Sequence, residues 1–269
     1  MTDRMALSQI LLRVFVTLAL IWLMIPVLII IPMSFSGARF LAFPPPSWSL
    51  RWYEAYLTDP GWMRATRTSL IVAVTSSVIA SVIGTAAAYA LNLSQSKWVR
   101  NLQVILLLPL VVPIVITAVG VFLVYAQLGL IATMGGLVLA NVMLGMPYVI
   151  TSVLVGLRKF DPTQEMVARS LGMNRRRAFF SVVLPQIRPS VITGALFAFI
   201  SALDETVVAL FISGGDNQTL TKRMFTALRD EIDPTIAAIS TLLTAVSFIM
   251  VILMALNGRA QTRRGSHGA

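Results

Sequence analysis

The sequence predicts an all-α membrane protein with six transmembrane helices, and composition and charge spacing are the observations that predict it. Of 269 residues, 57% are hydrophobic and 12% are charged, against about 25% charged in an ordinary soluble domain. Four uncharged stretches exceed the roughly 20 residues that a helix needs to cross a bilayer. They are residues 14–38, 68–96, 101–157 and 234–258. The third is long enough to cross twice, and another apolar run at 189–213 is interrupted only by Asp204 and Glu205.

The distribution of basic residues predicts the topology. We place the spans at about 14–33, 68–93, 103–126, 136–157, 189–213 and 235–257. If the N-terminus is inside, the inner segments 1–13, 94–102, 158–188 and 258–269 carry 14 of the 21 Lys and Arg residues. Basic residues near span ends tend to stay in the cytoplasm, so both termini are predicted to be cytoplasmic. The formal charge of +10 is then a topology signal, and no nucleic-acid partner is expected.

The first span is interpreted as a retained anchor. Its apolar core exceeds the 7–15 residues usual in a signal peptide, and no clear Ala-x-Ala cleavage site follows.

Composition excludes several kinds of catalytic site. The chain has no cysteine and one histidine, His267, so it cannot supply a thiolate nucleophile, a Ser-His-Asp triad or a two-histidine metal site. No Gly-Lys dipeptide occurs, which excludes a Gly-x-x-x-x-Gly-Lys phosphate loop. We expect no enzymatic activity and no cofactor in this chain.

The first external loop and the second span carry interfacial and packing patterns. Residues 34–67 combine three prolines at 44–46 with several Trp and Tyr residues, which favour the membrane boundary, so a short interfacial helix is predicted at about 50–58. It either anchors the chain at the interface or contacts an external partner. In the second span, small residues recur at helical spacing and predict close helix packing. They are Ser77, Ser81, Gly84 and Ala88.

Spans three and four contain helix-breaking residues. Pro109 and Pro113 lie in the third span and Pro147 in the fourth. Proline removes an amide donor and clashes with the preceding turn, so these helices are expected to kink. The breaks line a substrate path or are plain packing kinks. A turn at Gly129 and residues 135–136 joins the two spans.

The inner loop 158–188 predicts two short helices. Asp161 as N-cap, Pro162 at the first position and Gln164 as a capping-box partner begin the first helix, and Gly172 ends it. A second helix follows, with Asn174 as its cap and Pro185 as its end. The apolar edges of the pair suit either a headgroup surface or a groove on a partner.

The loop resembles the cytoplasmic motif of the permease subunits of binding-protein-dependent ABC importers. That motif reads Glu-Ala-Ala, three residues, Gly, nine residues, then Ile-x-Leu-Pro, and every interval is preserved here. Its positions fall on residues 166–168, Gly172 and residues 182–185. The glutamate position is Met166, with Glu165 one place early, and the second position is Val167. Further segments, at 145–149, 159–161, 203–208 and 233–238, resemble the second permease of the spermidine/putrescine branch.

The resemblance implies a type I ABC importer permease fold in the bacterial inner membrane. It implies that residues 162–172 are a coupling helix that inserts into an ATPase subunit. The residues assigned to docking are Glu165, Met166, Val167, Ala168, Leu171, Gly172, Leu184 and Pro185. The implied partners are a similar permease in a heterodimer, two cytoplasmic ATPase subunits that bind ATP and Mg, and an external solute-binding protein.

Asp204 and Glu205 are the candidate substrate-path acids. An ionised group inside a span costs about 2.5–3.5 kcal/mol and usually faces a cavity or a partner. Adjacent helical residues point about 100° apart, so both can face one pore only if the helix breaks there. One interpretation is that at least one of the two acids contributes to a path for a cationic substrate, with Glu205 marginally preferred. The alternative is a structural role, in which one acid caps a helix or pairs with a basic group. Pro109, Pro113 and Pro147 complete the candidate path.

The predicted function is that of a permease subunit of an ATP-driven importer for a small cationic amine such as a polyamine. An ion-coupled secondary carrier or channel is the alternative, although the sequence has no convincing internal repeat. A membrane-bound enzyme is a more distant alternative. The sequence does not identify the solute.

Overall fold

The computed structural model describes residues 2–94, 96–230 and 233–265. The last four residues of the predicted cytoplasmic tail, which include His267, lie outside them. The described residues fall into two compact units, one within residues 1–60 and 226–246 and the other within residues 61–225 and 247–269. Their secondary structure is helical apart from an isolated β-bridge.

The first unit contains the long N-terminal helix and the predicted interfacial helix. Helix α1 spans Thr2–Ser34 and α2 spans Arg51–Thr58, so the helix predicted at about 50–58 is present. The connecting loop is closed by the bridge between Ser36 and Trp48. A hydrogen bond of 2.7 Å joins the hydroxyls of Ser34 and Tyr53. The loop thereby fixes where α2 begins relative to the end of α1.

The remaining helices follow in chain order. They are α3 (Pro60–Leu93), α4 (Lys97–Leu107), α5 (Ile114–Leu128), α6 (Met134–Lys159), α7 (Pro162–Ser170), α8 (Arg175–Ala178), α9 (Leu184–Asp204), α10 (Val207–Ile212), α11 (Leu220–Asp230) and α12 (Thr235–Gly265). Five helical segments of the described chain are long and apolar enough to cross a membrane, and α4 with α5 can form a sixth, bent span. The six-helix prediction is therefore confirmed in its count.

The third predicted span, 103–126, is a broken helix. Segments Asn101–Leu110 and Ile114–Leu128 meet at an angle of 102°. Pro109 lies in a short 3-10 turn, and Pro113 is the N-cap of α5 with an extended ψ of 127°. Since proline donates no backbone hydrogen bond, two prolines four residues apart turn the expected kink into a complete break.

The prediction that Pro185 ends a helix is wrong. The chain from Arg175 to Asp204 is one continuous 30-residue helical segment. Residues Phe179–Val183 form a π-helical turn, and Pro185 lies in the first turn of α9 that follows. A π-turn shifts the hydrogen-bond register locally, so it accommodates the proline ring without ending the helix.

Small residues let α6 pack closely against α3 and α9. A Cβ atom on Gly84 would lie 2.9 Å from Val149, and one on Gly194 would lie 2.9 Å from the Val149 Cα atom. The Ser152 hydroxyl donates a 2.8 Å hydrogen bond to the Ser190 carbonyl. The predicted packing pattern is confirmed at Ser77, Gly84 and Ala88, which are buried, whereas Ser81 is half-buried. These contacts make α6 the centre of the second unit.

We predict that Gly194→Ala destabilises the protein by about 1–3 kcal/mol, because the new methyl group must displace the α6 backbone. The melting temperature of the purified protein in detergent measures this effect. Gly120→Ala is the matched control, since a Cβ there meets nothing within 4 Å. A melting temperature in Gly194→Ala equal to that of the control would contradict the proposed close packing.

Candidate functional site

A cavity of about 490 Å³ lies in the second unit. The end of α9, the start of α10, the middle of α6 and the α4–α5 break surround it. Its lining residues are Pro109, Leu110, Ile114, Leu144, Tyr148, Phe197, Ile200, Ser201, Asp204, Glu205, Thr206 and Val207. The walls are therefore mainly aliphatic and aromatic, and two acids supply the negative charge.

Asp204 is the acid that is available to a ligand. It is the last residue of α9 and is exposed. Among the residues that the structure describes, none donates a hydrogen bond to its carboxylate or forms an ion pair with it. The carboxylate can therefore accept hydrogen bonds from a solute.

Glu205 has a structural role at the helix break. Its backbone is extended, at φ −66° and ψ 114°. One carboxylate oxygen accepts a 2.6 Å hydrogen bond from the Val208 amide and the other a 2.8 Å bond from the Ala209 amide. These amides lack carbonyl partners within α10, so the carboxylate caps the helix. Of the roles left open for the pair, capping is the one that Glu205 fulfils, and the break allows both acids to line one cavity.

Contacts from the segment after α10 fix this short helix. The Thr221 hydroxyl donates a 2.8 Å hydrogen bond to the Glu205 carbonyl. At the other end of α10, the Lys222 ammonium donates to the Ser213 carbonyl, where a cation complements the helix dipole. Burial lowers the pKa of Lys222. The Leu220 amide donates a 2.8 Å hydrogen bond to the Ser69 hydroxyl of α3, so the break is held by several elements.

The candidate path prolines occupy three different environments. Pro109 lines the cavity. Pro113 is exposed at the start of α5, and Pro147 is fully buried within α6. Neither lines this cavity: Pro113 is the N-cap of α5 at the helix break, and Pro147 lies in the packed core. Their contribution to a substrate path stays a prediction. Sequence reasoning missed Tyr148, Phe197 and Ser201 as lining residues, because nothing in an apolar span distinguishes them before α6 and α9 are paired.

The termini of the loop helices follow the predicted capping pattern in most details. The Asp161 carboxylate accepts a 2.9 Å hydrogen bond from the Thr163 amide, which lowers the pKa of Asp161. Gly172 has a φ of +93°, the left-handed conformation that favours glycine after a helix. Asn174 accepts a 2.8 Å bond from the Arg177 amide. The capping box is wrong, because the Gln164 side chain instead accepts a hydrogen bond from Gln186 on α9.

Helix α7 has an exposed apolar face and a buried face. Met166 and Val167 are exposed, and the Leu171 residue that follows the helix is 80% exposed. Leu184 is half-buried, and Pro185 is exposed.

The buried face corrects the predicted docking set. Glu165, which is 7% exposed, and Ala168 lie on it. The Tyr89 hydroxyl donates a 2.6 Å hydrogen bond to Glu165. These two residues face other parts of the chain, because positions three apart share one side of a helix. They therefore lie away from the exposed apolar face that Met166 and Val167 form.

The acids do not form a metal centre in the described part of the chain. No group of three or more His, Cys, Asp or Glu side chains there could hold a metal ion. The side chains that line the cavity offer negative charge, hydrogen-bonding groups and apolar surface.

The chain is similar to known permeases over most of its length. The putrescine transport system permease protein PotI of Escherichia coli is 33% identical over 259 residues, which cover 93% of this chain and 92% of PotI. The spermidine/putrescine transport system permease protein PotC of Haemophilus influenzae is 27% identical over 247 residues, which cover 91% of this chain and 94% of PotC.

The fold is also that of solved importer structures. A chain from a bacterial ABC transporter involved in the import of the acidic polysaccharide alginate matches with a TM-score of 0.72 at 16% identity, over 93% of this chain and 95% of that chain. Residues 80–263 match the family of binding-protein-dependent transport system inner membrane components. The chain therefore belongs to this family, the permease subunits of ABC importers.

Proposed function

We propose that this permease subunit forms the translocation path for a small cationic amine and that Asp204 is the side chain that meets its positive charge. The observation that carries the proposal is the uncompensated Asp204 carboxylate in the cavity of about 490 Å³. An acid in a membrane span usually marks a path for an ion or a substrate. The relatives named above are putrescine and spermidine/putrescine permeases, and both of these solutes are polyamines. Their names support a cationic amine as the solute.

The rest of the lining suits an alkylamine. Leu144, Phe197 and Ile200 offer apolar contact to methylene groups, and the Tyr148 ring can meet an ammonium group by a cation–π contact. The alternative of an ion-coupled secondary carrier has no support from the family to which the chain belongs.

We predict that Asp204→Asn lowers uptake of a cationic amine about tenfold, because it removes one charge-assisted contact but keeps the shape. Uptake is measured in vesicles that contain the assembled transporter. Glu205→Gln should instead lower the free energy of unfolding by about 1 kcal/mol, because the amide replaces only part of the α10 cap. Parental uptake by a normally assembled Asp204→Asn transporter would contradict the role of Asp204.

We also propose that the exposed face of α7 docks a separate ATPase subunit. Met166 and Val167 on α7 and Leu171 just after it are exposed, and such a face suits a groove on a partner. ATP and Mg would be bound by that subunit. The assembly would also contain a second permease. It would include an external solute-binding protein, in line with the family description of a binding-protein-dependent transport system.

Leu171→Asp should reduce copurification of the ATPase subunit, because it places a charge on the apolar docking face. We expect about a tenfold loss of affinity, typical of an interface anchor. Leu57→Asp is the matched control, since Leu57 is 63% exposed on α2. Equal retention of the ATPase by both variants would rule out docking through this face.

We place both termini and the loop 158–188 in the cytoplasm, from the distribution of basic residues. Cysteines introduced at Ser170, Ser47 and Asp216 test this topology, since all three residues are exposed and the chain contains no other cysteine. An impermeant thiol reagent applied to intact cells should label positions 47 and 216 and spare position 170. The opposite pattern would invert the topology.

A further inference from the structure

We propose that the hydrogen bond between Tyr89 and Glu165 is a tether that transmits movement of α7 to α3. Tyr89 and Glu165 are then positioning residues for coupling and not contacts of the ATPase subunit. The proposal rests on the proposed docking of that subunit on α7. It adds the internal connection that makes the docking mechanically effective.

The first support is the burial of an acid in a short surface helix. Glu165 is 7% exposed, and its carboxylate accepts a 2.6 Å hydrogen bond from the Tyr89 hydroxyl. A buried carboxylate is costly unless donors satisfy it. The tyrosine therefore stabilises the observed orientation of α7, in which Met166 and Val167 face outward.

The second support is the position of Tyr89 between several elements. It lies near the end of α3, and its ring centroid is 4.6 Å from that of Phe179, the first residue of the π-turn. One side chain of α3 thus contacts both α7 and the first turns of the long helical segment.

The third support is that α7 has few other polar attachments. The side-chain hydrogen bond between Gln164 and Gln186 is the other such attachment to a neighbouring helix that the described residues provide, and both residues are exposed. Exposed hydrogen bonds compete with water and contribute little. The buried bond to Tyr89 is therefore the stronger of these two polar links between α7 and the spans.

A tether opposite the docking face has a direct consequence for coupling. When the ATPase moves, its displacement acts on the outward face of α7. The hydrogen bond on the inward face carries that displacement to α3. Without the bond, α7 can follow the ATPase while α3 stays in place, so ATP is hydrolysed without transport.

The test compares Tyr89→Phe, Glu165→Leu and Glu165→Gln in the complete transporter. Two quantities are measured, copurification of the ATPase subunit and solute uptake per ATP hydrolysed. We expect Tyr89→Phe and Glu165→Leu to lower uptake per ATP about tenfold, as loss of one hydrogen bond to a charged group would, with ATPase retention unchanged. Glu165→Gln should rescue most of the uptake, because its amide oxygen still accepts a bond from the Tyr89 hydroxyl.

Two further variants separate coupling from general damage. The double variant Tyr89→Phe with Glu165→Leu should be no worse than either single variant, because both remove the same bond. Tyr125→Phe is the matched control, since no described residue hydrogen bonds to the Tyr125 hydroxyl. It should keep the parental uptake per ATP.

Several outcomes would overturn the tether. They are parental uptake per ATP in Tyr89→Phe, failure of Glu165→Gln to rescue, and loss of the ATPase from Tyr89→Phe, which would make the pair part of the docking surface. Failure of the proposed docking is recognised separately. In that case Leu171→Asp keeps the ATPase bound, whatever the Tyr89 variants do.

Discussion

Hydrogen bonding of the backbone where water is scarce is the constraint on which the architecture of this permease depends. A continuous helix meets it without help, whereas every break exposes amides and carbonyls that need partners. At the break after α9, the Glu205 carboxylate accepts hydrogen bonds from two backbone amides, and the Thr221 hydroxyl donates a hydrogen bond to the Glu205 carbonyl. These hydrogen bonds stabilise the break, and the break places the Asp204 carboxylate at the cavity.

The sequence predicted the elements whose cause is local. Uncharged length predicted the apolar helices, and short-range side-chain chemistry predicted Asp161, Gly172 and Asn174 at the ends of the loop helices. Pro185 was misjudged because a π-turn can absorb a proline, and whether it does depends on the helices packed around it. The close packing of α3 was predictable because its small residues recur at helical spacing and therefore lie on one side of the helix.

The candidate site was predictable only in part, for a related reason. Two adjacent acids in an apolar span indicated a functional position, and the argument from helical geometry required a break if both were to face one cavity. Which acid caps and which remains free depends on backbone angles at Glu205 that no residue pattern specifies. The orientation of Glu165 was unpredictable for the same reason, because a shift of one position along α7 changes the environment of a side chain from the exposed face to the chain interior.

Because the helical segment from Arg175 to Asp204 is continuous, a small rotation at its loop end moves Asp204 over a larger distance. At 1.5 Å per residue, 30 residues extend for about 45 Å. A rigid-body tilt of about 5° about its loop end would displace Asp204 by about 4 Å, more than the length of a hydrogen bond. Small angular changes beside α7 are thus amplified into displacements of several ångströms at the cavity that Asp204 lines.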